Sequence, residues 1–246
     1  MKSQSLEQHN LPTGTYGYSA TGLDNLGATE YTLVTIVVDE SGSVADYKNE
    51  MEEAIIQIVE SCKYSPRADN LMIRLLSFSN NIKEIHGFKL LEECNKSDYN
   101  DCLSTGGTTA LYDASENAIS ATMNYGMSLV NNDFEVNAII AIITDGMNNT
   151  GKISNPKKVK EALQKIVKEE NLESILSILI GVGTQGDPEV STYLDNFKNI
   201  AGITQYVEIK NANARELAKL AEFVSKSISA QSQALGSGAP SQPLQF

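Results

Sequence analysis

Residues 136–144, Val-Asn-Ala-Ile-Ile-Ala-Ile-Ile-Thr, are the feature that most constrains the fold. A run this apolar and β-branched suits a strand covered on both faces, and such strands sit in the middle of sheets flanked by helices. Residues 33–39 and 174–180 repeat the pattern, residues 71–79 and 82–88 supply two more strands, and residues 205–209 close the sheet. Asn80-Asn81 reads as a tight turn, which sends residues 82–88 back antiparallel to 71–79. Between the strands lie helical patterns. Tyr47, Met51, Ala54, Ile55, Ile58 and Val59 share one helical face, residues 110–125 read as a second helix, and Val159, Leu163, Ile166 and Val167 line a third. Asn155-Pro156 and Asp187-Pro188 each pair a capping side chain with a proline at the first helical position. Asn213 and Glu216 have capping-box spacing ahead of Leu217, Leu220, Val224 and Ile228. The alternation predicts an α/β chain: a doubly wound, Rossmann-like, mostly parallel sheet with one antiparallel edge strand and helices on both faces.

That pattern occupies residues 31–230, and 246 residues suffice for one large domain. Residues 1–30, polar and rich in Gly, Thr and Tyr, read as an N-terminal arm lying on the domain or on a partner. Residues 231–246 have the composition of a disordered C-terminal tail. Nineteen Lys and Arg against 31 Asp and Glu give a net charge of −12, which repels phosphate backbones and argues against nucleic-acid binding. The densest basic run, Lys157-Lys158-Val159-Lys160, reads as a solvated helical turn. No stretch reaches the ~20 apolar residues of a membrane-spanning helix, so no membrane partner is expected. Residues 1–5 lead into no apolar signal segment, and Cys62, Cys94 and Cys102 are odd in number without CxxC spacing. Both point to a cytoplasmic protein.

In a sheet of this kind, ligands bind beyond the carboxyl ends of the strands, where strand order reverses. Three sets of short oxygen-bearing side chains fall at such ends: Asp39-Glu40-Ser41-Gly42-Ser43, Gly106-Gly107-Thr108-Thr109 and Thr144-Asp145-Gly146. Taken singly, each has a plain structural reading as a helix cap or a turn. Taken together, they converge on one edge of the sheet.

In this order and spacing they resemble the von Willebrand factor A (VWA) family. Its metal-ion-dependent adhesion site joins an Asp-x-Ser-x-Ser motif to a distant Thr and a distant Asp. The resemblance spans residues 31–230, and Ile180-Gly181-Val182-Gly183 is similar to the family's loop after the fifth strand. It implies Asp39, Ser41, Ser43, Thr108 and Asp145 as metal ligands. Thr109 is the alternative to Thr108, which stands directly after the double glycine. Mg²⁺ takes about six oxygens in octahedral geometry, so three hydroxyls and two carboxylates leave a place for water or an outside oxygen. Two histidines in the whole chain argue against an imidazole-rich zinc site.

The expected function is therefore a non-catalytic module that presents Mg²⁺ (or Mn²⁺) to an Asp or Glu of a partner protein. The resemblance implies a bacterial or phage-encoded protein of the cytoplasm, within an assembly such as one with an AAA+ ATPase. The alternatives are a metal-dependent phosphatase on the same scaffold and a structural subunit that forms homo-oligomers through its terminal arms. Gly181-x-Gly183-x-x-Gly186 matches a dinucleotide fingerprint in form, but it comes after the fifth strand rather than the first and reads as a turn into a capped helix. Ser41-Gly42-Ser43 lacks the first glycine of a serine-hydrolase elbow.

Overall fold

The chain alternates strands and helices along its length: β1 (Glu7–Asn10), β2 (Gly17–Ala20), β3 (Glu30–Asp39), α1 (Lys48–Cys62), β4 (Leu71–Phe78), β5 (Ile82–Leu90), α2 (Leu111–Val130), β6 (Glu135–Thr144), α3 (Lys157–Lys168), β7 (Ser174–Val182), α4 (Pro188–Ala201), β8 (Gln205–Ile209) and α5 (Ala214–Ser237). The computed structural model describes residues 6–11, 16–168 and 172–246, and of residues 166–168 and 185 the backbone alone. Residues 1–5 and 12–15 of the expected arm, and the side chains of Ile166 and Val167, lie outside that description. The strands form a single sheet in the order β1-β2-β5-β4-β3-β6-β7-β8. The pairs β3–β4, β3–β6, β6–β7 and β7–β8 are parallel, and β5 runs antiparallel to β4.

The apolar runs are continuous because helices cover both faces. Val34, Ile36 and Val38 of β3, with Ile139, Ala141 and Ile143 of β6, pack under α1 and α5 through Ile55, Ile58, Leu220 and Val224. The alternate residues, Val37, Ile140 and Ile142, face the other way onto Leu111 and Ala118 of α2, Val159 of α3, and Leu194 and Phe197 of α4. Each such large side chain contributes roughly 1.5–3 kcal/mol by leaving water. Helix starts obey the sequence signals: the Asp187 side chain accepts from the amides of Glu189 and Val190, and that of Asn213 from Glu216. Gly183 leads not into a phosphate loop but into a short 3₁₀ turn ahead of the Asp187 cap.

Two expectations are corrected at the chain ends. The antiparallel strand β5 is not an edge, because residues 1–30 add the hairpin β1–β2 beyond it. β2 joins β5 in parallel at Ala20 and Phe88, and Thr21 N donates to Phe88 O at 2.8 Å. The hairpin holds because Ser19 donates through N (3.0 Å) and Oγ (2.7 Å) to Glu84, while Tyr18 packs edge-on against Phe88. At the other end, α5 runs to Ser237, past the expected start of a disordered tail at residue 231. Its last turns are held by polar pairs: Gln231 Nε2 donates to Ala138 O (3.1 Å), and Arg67 Nε to Ser232 Oγ (3.2 Å). Beyond it, Leu244 O accepts from Gln205 Nε2, and Phe246 stacks edge-on against Phe223. All three cysteines are buried and free. Among the described residues no helix is long and apolar enough to cross a membrane.

Candidate metal centre

From β3 the chain passes through α1 to β4 on one side, and later through α2 to β6 on the other. The strand order thus reverses between the carboxyl ends of β3 and β6, which is where an open α/β sheet leaves a crevice. Asp39 ends β3, and Asp145 comes directly after β6. Asp39 Oδ2 accepts from Thr144 Oγ1 at 2.6 Å, and Oδ1 from the Ser41 amide at 2.8 Å. Ser43 Oγ donates to Asp145 Oδ1 (2.9 Å), and Tyr47 OH to Asp145 Oδ2 (2.6 Å). Ser41 Oγ lies 3.2 Å from Ser43 Oγ. Asp39, Ser41, Ser43 and Asp145 are thereby one hydrogen-bonded set.

Thr108 does not belong to that set. Its loop is laced to the Asp39–Ser43 segment: Gly106 N donates to Glu40 O (2.8 Å), Gly42 N to Gly107 O (3.2 Å), and Ser104 N to Glu40 Oε2 (2.8 Å). Glu52 of α1 adds acceptors for Asp101 N and Leu103 N. Yet Thr108 is exposed, and both its amide and its hydroxyl donate to Asn80 Oδ1. Thr109 is buried; its amide donates to Asn149 Oδ1, and its hydroxyl lies 3.8 Å from where a Cβ on Gly146 would stand.

Several participants are not evident from the sequence. The spacing puts Tyr47 on the apolar face of α1, but residues Gly42–Tyr47 form a 3₁₀ turn and α1 begins only at Lys48. For the same reason no α-helix N-terminus stands directly after Ser43. The signal available is the phenol itself, since a half-buried tyrosine hydroxyl needs a partner. The Thr144 hydroxyl and the Asn80 carboxamide read in sequence only as strand end and turn.

The electrostatics are unusual. Asp39 is 0% exposed, and its carboxyl is pushed up to about 6, first by burial and further by the charge of Asp145, with the Thr144 and Ser41 hydrogen bonds opposing. Among the described residues no Lys or Arg forms an ion pair with Asp39 or Asp145. No group of three or more His, Cys, Asp or Glu among them is placed to hold a metal either. The donors here are instead two carboxylates and neighbouring hydroxyls, a hard-oxygen set that fits a hard divalent cation. His9 stacks on Tyr18 and His86 bonds Tyr99 OH, so each imidazole already has its own partner away from the serines.

The structure is similar to that of the PilB minor pilin from Streptococcus sanguinis (D319A mutant: TM-score 0.60, 15% identity, 88% of this chain and 65% of that one). It is similar also to the pilus adhesin SpaC from Lactobacillus rhamnosus GG (0.55, 12%, 83% and 31%). A third likeness is to proximal thread matrix protein 1 of the mussel byssus (0.52, 21%, 81% and 46%), also solved with a zinc-occupied MIDAS motif (0.50, 19%, 83% and 47%). The chain spans about 65% of the pilin's length and less of the others. No curated protein matches it in sequence. The cytoplasmic setting expected from the sequence is overturned: these relatives are a pilin, a pilus adhesin and a byssal matrix protein, all components of structures outside the cell. Domains with this fold are typically adhesion and interaction modules rather than enzymes. The sequence profile of the von Willebrand factor type A domain matches residues 34–226, most of the chain, and the protein belongs to that family.

Proposed function

We propose that the protein is a non-catalytic binding module whose Asp39, Ser41, Ser43, Thr108 and Asp145 hold Mg²⁺ or Mn²⁺ for capture of an acidic residue of a partner protein. One observation carries the reading: two carboxylates, one fully buried, are linked through Ser41 and Ser43, and among the described residues no Lys or Arg forms an ion pair with either. Two like charges so placed call for a cation. The bound ion would supply a Lewis-acid position open to a carboxylate from outside. The chain's own part is to orient: Thr144 and the Ser41 amide fix Asp39, and Ser43 and Tyr47 fix Asp145. The zinc-occupied motif in the byssal protein supports the reading by analogy of fold. No residue of this chain singles out an AAA+ ATPase as the partner. Assembly through the chain ends is the weaker reading, because the described parts of both ends pack on their own domain.

Calorimetric titration of EDTA-stripped protein with MgCl₂ tests the proposal. Binding is expected in the wild type, lost in Asp39→Ala and Asp145→Ala, and weakened in Ser41→Ala and Ser43→Ala. Equal heats in all five proteins contradict it. Mg-dependent hydrolysis of a generic phosphoester that disappears in Asp39→Ala would instead favour the phosphatase.

A further inference from the structure

We propose that Tyr47 is a positioning residue that biases which cation the site prefers: by holding one oxygen of Asp145 it keeps that carboxylate from chelating, and so favours Mg²⁺ against Ca²⁺. The inference rests on the metal-binding reading above and adds to it a residue outside the five ligands. Every carboxylate oxygen of the hydrogen-bonded set already accepts a bond from the protein. On Asp39, Oδ1 accepts from the Ser41 amide (2.8 Å) and Oδ2 from Thr144 Oγ1 (2.6 Å). On Asp145, Oδ1 accepts from Ser43 Oγ (2.9 Å) and Oδ2 from Tyr47 OH (2.6 Å). A carboxylate oxygen has about two lone-pair sites, so each keeps one. That is enough for an ion held by a single oxygen. An ion that chelates needs both oxygens turned toward it at once.

Asp145 is gripped from one short segment. Ser43 and Tyr47 both belong to the 3₁₀ turn Gly42–Tyr47, so a single turn holds the two oxygens. The turn is itself anchored: Val44 is fully buried, and the Tyr47 ring packs against the core under α1. The carboxylate therefore cannot turn both oxygens to one ion without giving up one of its two bonds. Mg²⁺ and Ca²⁺ respond differently to that restraint. Mg²⁺ takes about six oxygens in a near-ideal octahedron, which one oxygen from each ligand suits, whereas Ca²⁺ takes roughly six to eight and often fills its larger shell with chelating carboxylates. Without the Tyr47 hydroxyl, Asp145 Oδ2 is free to turn and join Oδ1 on the ion, which adds a ligand for Ca²⁺ and disturbs the octahedron for Mg²⁺.

The test is the ratio of the Ca²⁺ and Mg²⁺ dissociation constants, read by calorimetric titration of each ion into the EDTA-stripped full chain. Tyr47→Phe removes only the hydroxyl and leaves the ring in its packing, so it should fold, which a cooperative melt in EDTA verifies. In Tyr47→Phe, Mg²⁺ binding is expected to weaken about tenfold, as loss of an orienting partner does. Ca²⁺ binding should hold or strengthen, so the ratio swings toward Ca²⁺ by about tenfold or more. Ser41→Ala is the comparison, because it removes a ligand while its amide still holds Asp39 Oδ1. It should weaken both ions and leave the ratio near that of the wild type. An unchanged ratio in Tyr47→Phe, even with both affinities reduced, overturns this inference and leaves the metal site standing. So does an equal swing in Ser41→Ala, or Ca²⁺ binding too weak to detect both before and after the substitution. Absence of binding of both ions to the wild type removes the metal-binding reading and this inference with it.

Discussion

Two places in the same sheet bury charge, and they treat it in opposite ways. In the middle of β4, Arg74 is fully buried, yet its guanidinium meets Glu84 at 2.7 Å and Asn117 at 3.0 Å and lies over the Phe88 ring. At the carboxyl ends of β3 and β6, Asp39 and Asp145 lie on either side of two serines, and among the described residues neither has a Lys or Arg ion pair. The first arrangement has its countercharge within the protein, although Arg74 Nη1 has no hydrogen-bond partner among the described residues, and it fastens the N-terminal hairpin, since Glu84 also accepts from Ser19. The second is held by hydrogen bonds alone, from Thr144 and the Ser41 amide to Asp39 and from Ser43 and Tyr47 to Asp145. On the proposed function, charge that serves the fold arrives with its partner, and charge that serves binding does not.

Breaking the first arrangement should have the largest effect. Arg74→Leu is expected to destabilise by about 3 kcal/mol in urea unfolding, with and without Mg²⁺. That lies at the low end for a broken buried pair, because Glu84 keeps Ser19 and some exposure to water. A change below about 0.5 kcal/mol would remove the contrast. Asp113 represents a third arrangement, a buried carboxylate satisfied by the amides of Lys152 (2.8 Å) and Ile153 (2.7 Å) beside left-handed Gly151. Asp113→Ala should cost about 2 kcal/mol in the same urea titration, again without regard to metal.

Acid sensitivity should also belong to the compensated side. Burial pushes the His86 imidazole down to about 4, from an ordinary 6.5, with Lys89 and Arg74 adding to the shift and the Gly87 carbonyl and Asp98 opposing it. The unfolded chain therefore binds the extra proton first as pH falls below 6.5, and stability is lost between there and about 4. From about pH 7 to about pH 5 the His86 contribution is a loss on the order of 1–2 kcal/mol, read as the difference in pH dependence between wild type and His86→Gln, because Asp39, pushed up to about 6, acts in the opposite sense in both proteins. The smallest effect is expected for Asp39→Asn in EDTA: within about 0.5 kcal/mol of wild type, or slightly stabilising, because the substitution removes a charge that burial already disfavours.

Much of this is legible in the residues. The central strands announce themselves because burial on both faces leaves almost no polar position in the run, and Asp187 and Asn213 mark helix starts by the chemistry of their side chains. Asp39, Ser41, Ser43 and Asp145 meet because the carboxyl end of a parallel sheet gathers the loops that leave its strands. The hairpin β1–β2 is not legible, since both strands are four residues long, β1 is largely exposed, and the buried run of β2 carries no apolar alternation. The last turns of α5 read as tail because polar side chains hold them: Gln231 and Ser232 are buried by specific hydrogen bonds that composition does not reveal. Tyr47 is hidden for a related reason, because its hydroxyl meets Asp145, a residue distant in sequence.

The central claim is that Asp39 and Asp145 are held apart from any protein cation so that a metal can join them. Thermal unfolding of wild type and Asp39→Asn, each in EDTA and in MgCl₂, tests it most directly. At about a hundredfold excess over its dissociation constant, Mg²⁺ should stabilise the wild type by about 2.7 kcal/mol, raising the midpoint by roughly 5–10 °C. Asp39→Asn should melt at the same temperature in both buffers. An equal Mg²⁺ shift in both proteins, or none in the wild type, would contradict the account.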